Sequence, residues 1–288
     1  MEYATLSNGI KMPMVGLGTF PLVGNKLIET VKMAKELGYE LFDTAGAYDN
    51  ETDLCIGLEL NKKSEQLNKT FISSKVNWLQ LRGRLRYLFL NRETIKSAYK
   101  HSCKRLGVDK LDLFLLHQPF DGFCEAYKEM INLYEQGKVR AIGVCNFDND
   151  ELKKLYASCG QYPMINQTEI SPRNSFKDII HFCQDNGIQV EAYSPFGRGN
   201  LVEELMNDKD LLEIGKNHNK TVGQVVLRWI VQQNIIVIPR STNYDRLKQN
   251  LDIFDFELTN EEMNIIDNMN QNRVFGVNQV NKYKVNKL

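Results

Sequence analysis

The sequence has no long apolar run, no excess of charge of one sign and no dense cluster of cysteine. No apolar stretch approaches the roughly 18 residues that a membrane-spanning helix needs. The 36 Lys and Arg residues equal the 36 Asp and Glu residues in number, so no overall field attracts the chain to nucleic acid or to anionic lipid. We therefore expect a partner that is recognised at a local site, with neither nucleic acid nor membrane involved.

Cysteine and histidine are sparse and poorly spaced for metal binding. The six cysteines form no C-x-x-C pair, and the four histidines lack ligand spacing with one another or with cysteine. The amino terminus, Met-Glu-Tyr-Ala-Thr-Leu, has neither the basic nor the apolar region of a signal peptide. These absences predict no metal site, no disulfide framework and a reducing, cytoplasmic location.

Short apolar segments alternate with amphipathic helical patterns along the chain. The 288 residues contain no Pro/Gly/Ser-rich linker, which favours one domain over residues 1–288. The predicted strands are 15–18, 41–43, 70–74, 111–116, 141–144, 164–169, 189–193 and 235–238. The predicted helices are 25–37, 51–60, 92–106, 125–135, 150–157, 176–185, 221–233 and 244–251.

Eight strand–helix units predict an α/β fold, a (β/α)8 TIM barrel, because short and uniformly apolar strands belong to parallel sheets that helices cover. An open doubly wound sheet is the alternative, but no G-x-G-x-x-G turn follows the first strand. The pair Asn8-Gly9 predicts an N-terminal β-hairpin with a type I′ turn. The polar segment 270–288, with Phe275 and Tyr283, is expected to form a C-terminal loop over the barrel mouth or to be disordered.

Four polar side chains fall at or shortly after the carboxyl ends of predicted strands. Asp43 ends the second strand and Tyr48 follows it, Lys75 follows the third strand, and His117 follows the fourth. Side chains at these ends converge on one rim of a (β/α)8 barrel, where such barrels hold their active sites. Each residue alone has an ordinary explanation, as a turn residue, a packed aromatic, a loop charge or a core imidazole. Together they favour a proton-donating site.

Eight sequence segments carry a family pattern in one fixed order. They are GLGT at 16–19, GYELFDTAGAY at 38–48, ISSK at 72–75, LDLFLLHQP at 111–119, GKVRAIGVCNF at 137–147, NQ at 166–167, AYSP at 192–195 and IPRSTN at 238–243. From the hairpin to about Met269, the chain resembles the aldo-keto reductase superfamily. This resemblance implies a (β/α)8 barrel that binds NADPH in extended form, without a Rossmann fold, and reduces aldehydes or ketones.

The resemblance makes the four polar residues a catalytic tetrad. Hydride addition to a carbonyl builds negative charge on oxygen, so the site needs a proton donor there. Tyr48 is the expected general acid, and Lys75 is expected to lower its pKa from about 10. Asp43 is expected to pair with Lys75 and keep it charged, while His117 orients the carbonyl and shares the charge of the oxyanion.

Polar residues after the fifth and sixth strands are expected to hold the cofactor. The nicotinamide carboxamide is predicted to bind to Cys145, Asn146 and Gln167. The family usually has Ser at the position of Cys145, and a thiol is a weaker hydrogen-bond donor than a hydroxyl. Tyr193 is expected to stack on the nicotinamide ring. By resemblance, further contacts to the nicotinamide and pyrophosphate come from Gly18, Thr19, Phe20, Asp43, Ser194 and Phe196.

The segment after the eighth strand predicts an anion site. Backbone N–H groups and the dipole at a helix N-terminus favour a phosphate, and we expect Arg240, Ser241 and Arg246 to hold a 2′-phosphate. Gln249 and Asn250 are the expected adenine contacts. This set favours NADPH over NADH; the alternative is that the two arginines are ordinary surface charges.

The substrate pocket is less well specified. Its predicted walls are Tyr48, His117, Phe20, Trp78 and Phe120. Segment 76–90 is long for the family and mixes Trp78 and Tyr87 with three arginines, so it is expected either to cover the pocket and favour a bulky or anionic carbonyl compound, or to form a solvated loop. Gln118 stands where the family often has tryptophan, which predicts weaker stacking on the substrate.

Three functions fit these residues. The first is an NADPH-dependent carbonyl reductase of the alcohol dehydrogenase [NADP+] type, acting as a monomer on a small carbonyl compound. The second is an NADPH-binding regulatory subunit with little turnover, because the family resembles potassium-channel β subunits that sense NADPH. The third is a phosphate-handling barrel isomerase or aldolase that uses the anion site for its substrate. The complete tetrad favours the first over the second, and the pair Asn146 and Gln167 favours it over the third.

Overall fold

Eight parallel strands form a barrel in the computed structural model, which describes residues 2–60, 69–76 and 92–273. The strands neighbour one another in chain order, and the last returns to the first, where the N–H of Val237 donates to the carbonyl of Met14 at 2.9 Å. The predicted (β/α)8 fold is confirmed. The barrel strands are β3 (Gly16–Gly18), β4 (Leu41–Asp43), β5 (Phe71–Val76), β6 (Leu111–Leu116), β7 (Val139–Cys145), β8 (Ile165–Glu169), β9 (Gln189–Tyr193) and β10 (Ile236–Val237).

Helices connect the strands around the outside of the barrel. Those that the sequence predicted lie within a few residues of their expected positions: α1 (Gly24–Glu36), α2 (Glu51–Leu58), α3 (Arg92–Leu106), α4 (Phe123–Glu135), α5 (Asn149–Cys159), α6 (Lys177–Asp185), α9 (Val222–Val231) and α10 (Tyr244–Leu251). Three helices were not predicted: α7 (Asn200–Met206), α8 (Lys209–His218) and α11 (Asn260–Asp267). A signal for α11 was present, because Thr259 and Glu262 form a capping box at its start.

The N-terminal hairpin was predicted correctly, but its turn type was wrong. Strands β1 (Tyr3–Thr5) and β2 (Lys11–Pro13) pair antiparallel, with Ala4 opposite Met12. A type I′ turn needs positive φ at both central residues, whereas Gly9 has φ 83° and Asn8 is not in the left-handed region. The N–H of Gly9 donates to Leu6 O at 2.8 Å, and the N–H of Leu6 donates to Ile10 O at 2.9 Å. The loop is therefore a three-residue connection with glycine in the left-handed position.

Apolar side chains of the strands fill the space between barrel and helices, and small residues set how closely the strands approach. A Cβ on Gly143 in β7 would lie 2.6 Å from the carbonyl oxygen of Ile165 in β8. Only glycine fits this position without moving one strand away from the other. No helix among residues 2–60, 69–76 and 92–273 is long and apolar enough to cross a membrane.

Because all eight strands run in the same direction, their carboxyl ends meet at one rim of the barrel. Asp43 ends β4, Cys145 ends β7 and Tyr193 ends β9, while Lys75 lies near the end of β5 and His117 directly follows β6. The fold therefore gathers residues from distant parts of the sequence at this rim.

Candidate active site

A buried ion pair lies beneath the rim of the barrel. The Lys75 ammonium donates to Asp43 Oδ1 at 2.5 Å and to the carbonyl oxygen of Thr44 at 2.9 Å. The Lys75 side chain is 0% exposed and that of Asp43 is 3% exposed. Burial alone would lower the pKa of Lys75, but Asp43 and then Tyr48 hold it above its ordinary value. The ammonium therefore stays charged, as the sequence predicted.

Tyr48 and His117 lie in front of this ion pair. Tyr48 closes a short 3₁₀ helix (Gly46–Tyr48) that follows β4, and its hydroxyl lies 3.4 Å from His117 Nε2. The Lys75 ammonium lies 5.1 Å from the centre of the Tyr48 ring. The structure thus brings all four predicted tetrad residues together.

The pKa of Tyr48 corrects one expectation. The Lys75 charge lowers it as predicted, but burial has the larger effect, and the net result is a pKa above the ordinary value of a phenol. Tyr48 is therefore protonated at neutral pH in this structure. The site therefore contains a protonated Tyr48 phenol beside the fixed Lys75 cation, instead of the phenol with a lowered pKa that the sequence predicted.

His117 is held as a neutral imidazole. Burial, and then the Lys75 charge, lower the pKa of His117 to about 3. Its Nδ1 is buried and has no hydrogen-bond partner among the described residues. A buried N–H without an acceptor would cost more than a buried lone pair without a donor, so the favoured tautomer carries its proton on Nε2. Nε2 is the nitrogen that faces Tyr48.

Asp43, Tyr48 and His117 border a cleft of about 650 Å³, and Arg240 lines the same cleft. Phe20 forms part of its wall and lies 5.0 Å from the Tyr48 ring. Among the predicted cofactor contacts, the cleft is lined by Gly18, Thr19, Phe20, Asp43, Asn146, Gln167, Tyr193, Ser194, Phe196 and Arg240.

The amides of Asn146 and Gln167 are fixed by neighbouring groups. The Tyr193 hydroxyl donates to Asn146 Oδ1 at 2.8 Å, while Gln167 Nε2 donates to Asp43 Oδ2 at 3.0 Å. The buried Cys145 thiol donates to Gln167 Oε1 at 3.8 Å, so it touches the amide that lines the cleft rather than the cleft itself. Asn146 has φ 62° and Ser194 has φ 50°, backbone conformations that non-glycine residues adopt mostly at functional sites and turns.

Comparison with known proteins places these features in one family. The aldo/keto reductase family model matches residues 14–271. Glyoxal reductase of Bacillus subtilis (strain 168) is 39% identical over 275 residues, which are 95% of this chain and 94% of that protein. Methylglyoxal reductase DkgA of Escherichia coli (strain K12) is 32% identical over 274 residues, 94% of each. The crystal structure of Bombyx mori aldo-keto reductase (AKR2E4) in complex with NADP matches with TM-score 0.83 and 30% identity, covering 94% of each chain.

The chain belongs to the aldo-keto reductase family. The predictions of family, of (β/α)8 fold and of NADP(H) as the cofactor are confirmed. As an aldo-keto reductase, the protein is an NADP-dependent oxidoreductase of carbonyl compounds.

The predicted phosphate residues of this aldo-keto reductase lie at the start of α10. Asn243 caps the helix by accepting from the N–H of Arg246 at 3.0 Å, and Arg246 Nε donates to Ser241 Oγ at 3.4 Å. Arg240 is exposed and lines the cleft, whereas Ser241 and Arg246 do not line it. The two predicted adenine contacts do not border the cleft: Gln249 lines a separate depression with Lys220 and Asp252, and Asn250 is buried.

Of the predicted substrate walls, Phe120 does not line the cleft, and Trp78 is not among the described residues. Phe120 is half-buried and packs against the core. Trp78, the arginine-containing segment 77–90 and the C-terminal segment 274–288 lie outside the described residues. Tyr48, His117 and Phe20 do border the cleft. Among the described residues, no group of His, Cys, Asp and Glu is arranged to hold a metal ion.

Sequence reasoning missed two charged residues of this aldo-keto reductase: Arg198, which lines the cleft, and Glu191, which contacts the cleft residue Gln167. Arg198 donates from Nε to Ser194 Oγ at 3.0 Å, and its guanidinium lies 5.7 Å from the centre of the Tyr193 ring and 6.0 Å from that of Phe20. Glu191 is fully buried in β9, and it accepts from Gln167 Nε2 at 2.7 Å. A carboxylate in an otherwise apolar strand was the available signal for Glu191, because such residues are rarely buried without a partner.

Proposed function

We propose that this protein reduces an aldehyde or ketone to an alcohol with NADPH and that Tyr48 is its general acid. The observation that carries the proposal is the 3.4 Å approach of the Tyr48 hydroxyl to His117 Nε2 on the cleft, directly in front of the buried Lys75–Asp43 pair. Two hydrogen-bond donors with one cation behind them suit a carbonyl oxygen that gains negative charge.

The residues of the cleft fit a nicotinamide cofactor. Its volume of about 650 Å³ lies within the roughly 300–1,000 Å³ of common ligand sites. The Tyr193 ring offers a face for the nicotinamide, and Asn146 and Gln167 offer amides for its carboxamide. Arg240 on the cleft, together with Arg246, which lies outside the cleft and donates to Ser241, offers cations for a 2′-phosphate. When bound, NADPH supplies the hydride for the carbonyl carbon.

The residues of the chain supply the proton and the orientation. The Tyr48 O–H and the His117 Nε2–H both donate to the substrate oxygen, which fixes the carbonyl at the Tyr48 end of the cleft. As negative charge develops on that oxygen, the phenol proton moves to it, since an alkoxide is a far stronger base than a phenolate. The resulting Tyr48 phenolate is stabilised by the Lys75 ammonium, whose charge depends on Asp43.

We infer that small dicarbonyl compounds are the substrate class. The relatives named glyoxal reductase and methylglyoxal reductase each match over more than nine tenths of this chain. Among the described residues, the substrate end of the cleft presents Tyr48, His117, Phe20 and Gln118, a mixture of two donors, one aromatic wall and one amide that suits a short polar molecule. We also propose that the enzyme is monomeric.

The proposal is tested by following the absorbance of reduced nicotinamide during turnover. We expect glyoxal and methylglyoxal to be reduced with NADPH, more slowly with NADH, and with higher kcat/KM than a bulky aromatic ketone. Tight NADPH binding without turnover of any carbonyl compound would contradict the reductase function and favour that of a regulatory subunit. Sedimentation at several protein concentrations tests the monomer.

A further inference from the structure

Glu191 connects to the active site through a single amide. Gln167 Nε2 uses both of its hydrogens on carboxylates, donating to Asp43 Oδ2 at 3.0 Å and to Glu191 Oε2 at 2.7 Å. The Asp43 carboxylate can only accept, and Glu191 Oε2 accepts either as a carboxylate oxygen or, with the proton on Oε1, as the carbonyl oxygen of the acid, so the two groups fix which end of the amide faces them. Gln167 Oε1 accepts from the Cys145 thiol at 3.8 Å, and its second lone pair is the part of this amide that remains for a ligand.

Three observations separate Glu191 from an ordinary core residue. It lies directly opposite Gln167 across the β8–β9 pairing, its exposure is 0%, and its Oε1 has no hydrogen-bond partner among the described residues. A buried carboxyl with one unsatisfied oxygen costs stability. An apolar residue at position 191 would avoid this loss of stability, so the presence of a glutamate there points to a functional role.

We propose that Glu191 is a positioning residue of the nicotinamide subsite: it holds the Gln167 amide oxygen toward the cleft, and its ionised form favours the oxidised, positively charged cofactor. This inference rests on the proposed function, because it places the nicotinamide next to Gln167. It adds a residue and a charge effect that the tetrad does not require.

The charges around Glu191 support this assignment. Two charged groups act on Glu191: Asp43 from β4 and Lys75 from β5. The residues paired with Glu191 in the neighbouring strands are uncharged, Gln167 in β8 and Ile236 in β10. Burial, and then the Asp43 charge, raise the pKa of Glu191 to about 8, with the Gln167 hydrogen bond opposing them. Glu191 is thus mostly protonated at neutral pH, and a cation placed nearby would draw its proton off.

The sign of the effect follows from this linkage. Oxidised nicotinamide carries a positive charge and reduced nicotinamide does not, so only the oxidised cofactor favours ionised Glu191. As pH rises through about 8, the affinity for NADP+ increases relative to that for NADPH. Below that pH, NADP+ binding releases a proton from Glu191 to the solvent, and NADPH binding does not.

The test is the ratio of the Kd values for NADP+ and NADPH, measured by quenching of protein fluorescence at several pH values. Because both nucleotides carry the same 2′-phosphate, the ratio cancels its titration. We expect the ratio to fall about tenfold between about pH 6.5 and about pH 9 in the wild type and to stay constant in Glu191→Gln. The control is Glu129→Gln, which alters another buried glutamate, paired with Lys96 on the outer helices; it should keep the wild-type slope.

Calorimetry in two buffers of different ionisation enthalpy provides a second measurement that does not depend on the variant folding. We expect the wild type to release protons when it binds NADP+ near pH 7.5 and none when it binds NADPH. Binding of both nucleotides with a constant ratio, or a slope retained in Glu191→Gln, would overturn the role of Glu191 and leave the proposed function standing. Failure of the wild type to bind either nucleotide would overturn the proposed function itself.

Discussion

The buried ion pair of Lys75 and Asp43 allows a stability prediction with a worked magnitude. In Asp43→Asn the ammonium, which is 0% exposed, keeps its bond to the Thr44 carbonyl at 2.9 Å. It loses the Asp43 carboxylate, the one carboxylate at hydrogen-bond distance among the described residues. Breaking a buried pair from one side costs about 3–5 kcal/mol, because the remaining charge is left without compensation. We expect Asp43→Asn to lower the free energy of unfolding by that amount.

The expected change in melting temperature follows from the length of the chain. Unfolding entropy of about 2.1 cal/mol/K per residue gives roughly 0.6 kcal/mol/K for a chain of 288 residues. The loss therefore corresponds to a fall in Tm of about 5–8 °C, which scanning calorimetry measures directly. In Asp43→Asn/Lys75→Met most of the loss should be recovered, because removing both charges leaves no unpaired ion.

A surface ion pair of similar length is the matched control. Lys128 and Glu125 lie 2.6 Å apart, but their side chains are 38% and 64% exposed. Solvent screens the attraction within exposed pairs, so Glu125→Gln should lower Tm far less than Asp43→Asn does. Equal shifts in Asp43→Asn and Glu125→Gln, or no recovery in the double variant, would refute the reasoning.

Three further predictions concern protonation, cofactor choice and packing. Because the pKa of His117 is about 3, its imidazole should stay neutral in NMR titrations from about pH 8 to about pH 5. The free energy of unfolding should fall as pH decreases from about 6.5, because His117 in the unfolded chain takes up a proton there. A His117 titration with its midpoint near pH 6.5 in the folded protein would contradict the burial argument. Arg240→Ala should raise the Kd for NADPH about ten- to a hundredfold and leave that for NADH nearly unchanged, since charge-assisted bonds to phosphate contribute about 1.5–3 kcal/mol. Equal losses for the two cofactors in fluorescence titrations would contradict the 2′-phosphate role. Gly143→Ala should lower Tm, because the new Cβ would lie 2.6 Å from the carbonyl oxygen of Ile165. The control Gly223→Ala should be neutral or stabilising, because its Cβ would meet nothing closer than 3.8 Å. A larger fall in Tm for Gly223→Ala than for Gly143→Ala in calorimetry would contradict the packing argument.

The barrel strands and the tetrad were predictable from sequence for the same reason. Most of the barrel strands contain a short apolar run, and four polar residues at or near the carboxyl ends of three of them mark the rim. Asp43, Tyr48, Lys75 and His117 needed no information about packing, because the parallel direction of the strands alone brings them together. Helices α7 and α8 were missed because the connection between β9 and β10 was expected to contain only one helix.

What the sequence left undetermined depends on three-dimensional surroundings. The pKa of Tyr48 was predicted from its neighbour Lys75, whereas burial, which outweighs that charge, follows only from the folded barrel. The hairpin turn was predicted from Asn8-Gly9 alone, but the turn type depends on the pairing register of β1 with β2. The bond from Gln167 to Glu191 joins residues 24 positions apart, and a strand pattern does not reveal which side chains share a barrel interior.

The central claim is that Tyr48 delivers the proton, and Tyr48→Phe tests it most directly. The variant keeps the ring that packs 5.0 Å from Phe20 and removes only the hydroxyl. With Tyr156→Phe, at an exposed tyrosine of α5, as the control, we expect kcat for methylglyoxal to fall about 10²–10⁴-fold in Tyr48→Phe, while the Kd for NADPH changes less than about twofold. Full activity in Tyr48→Phe would contradict the account.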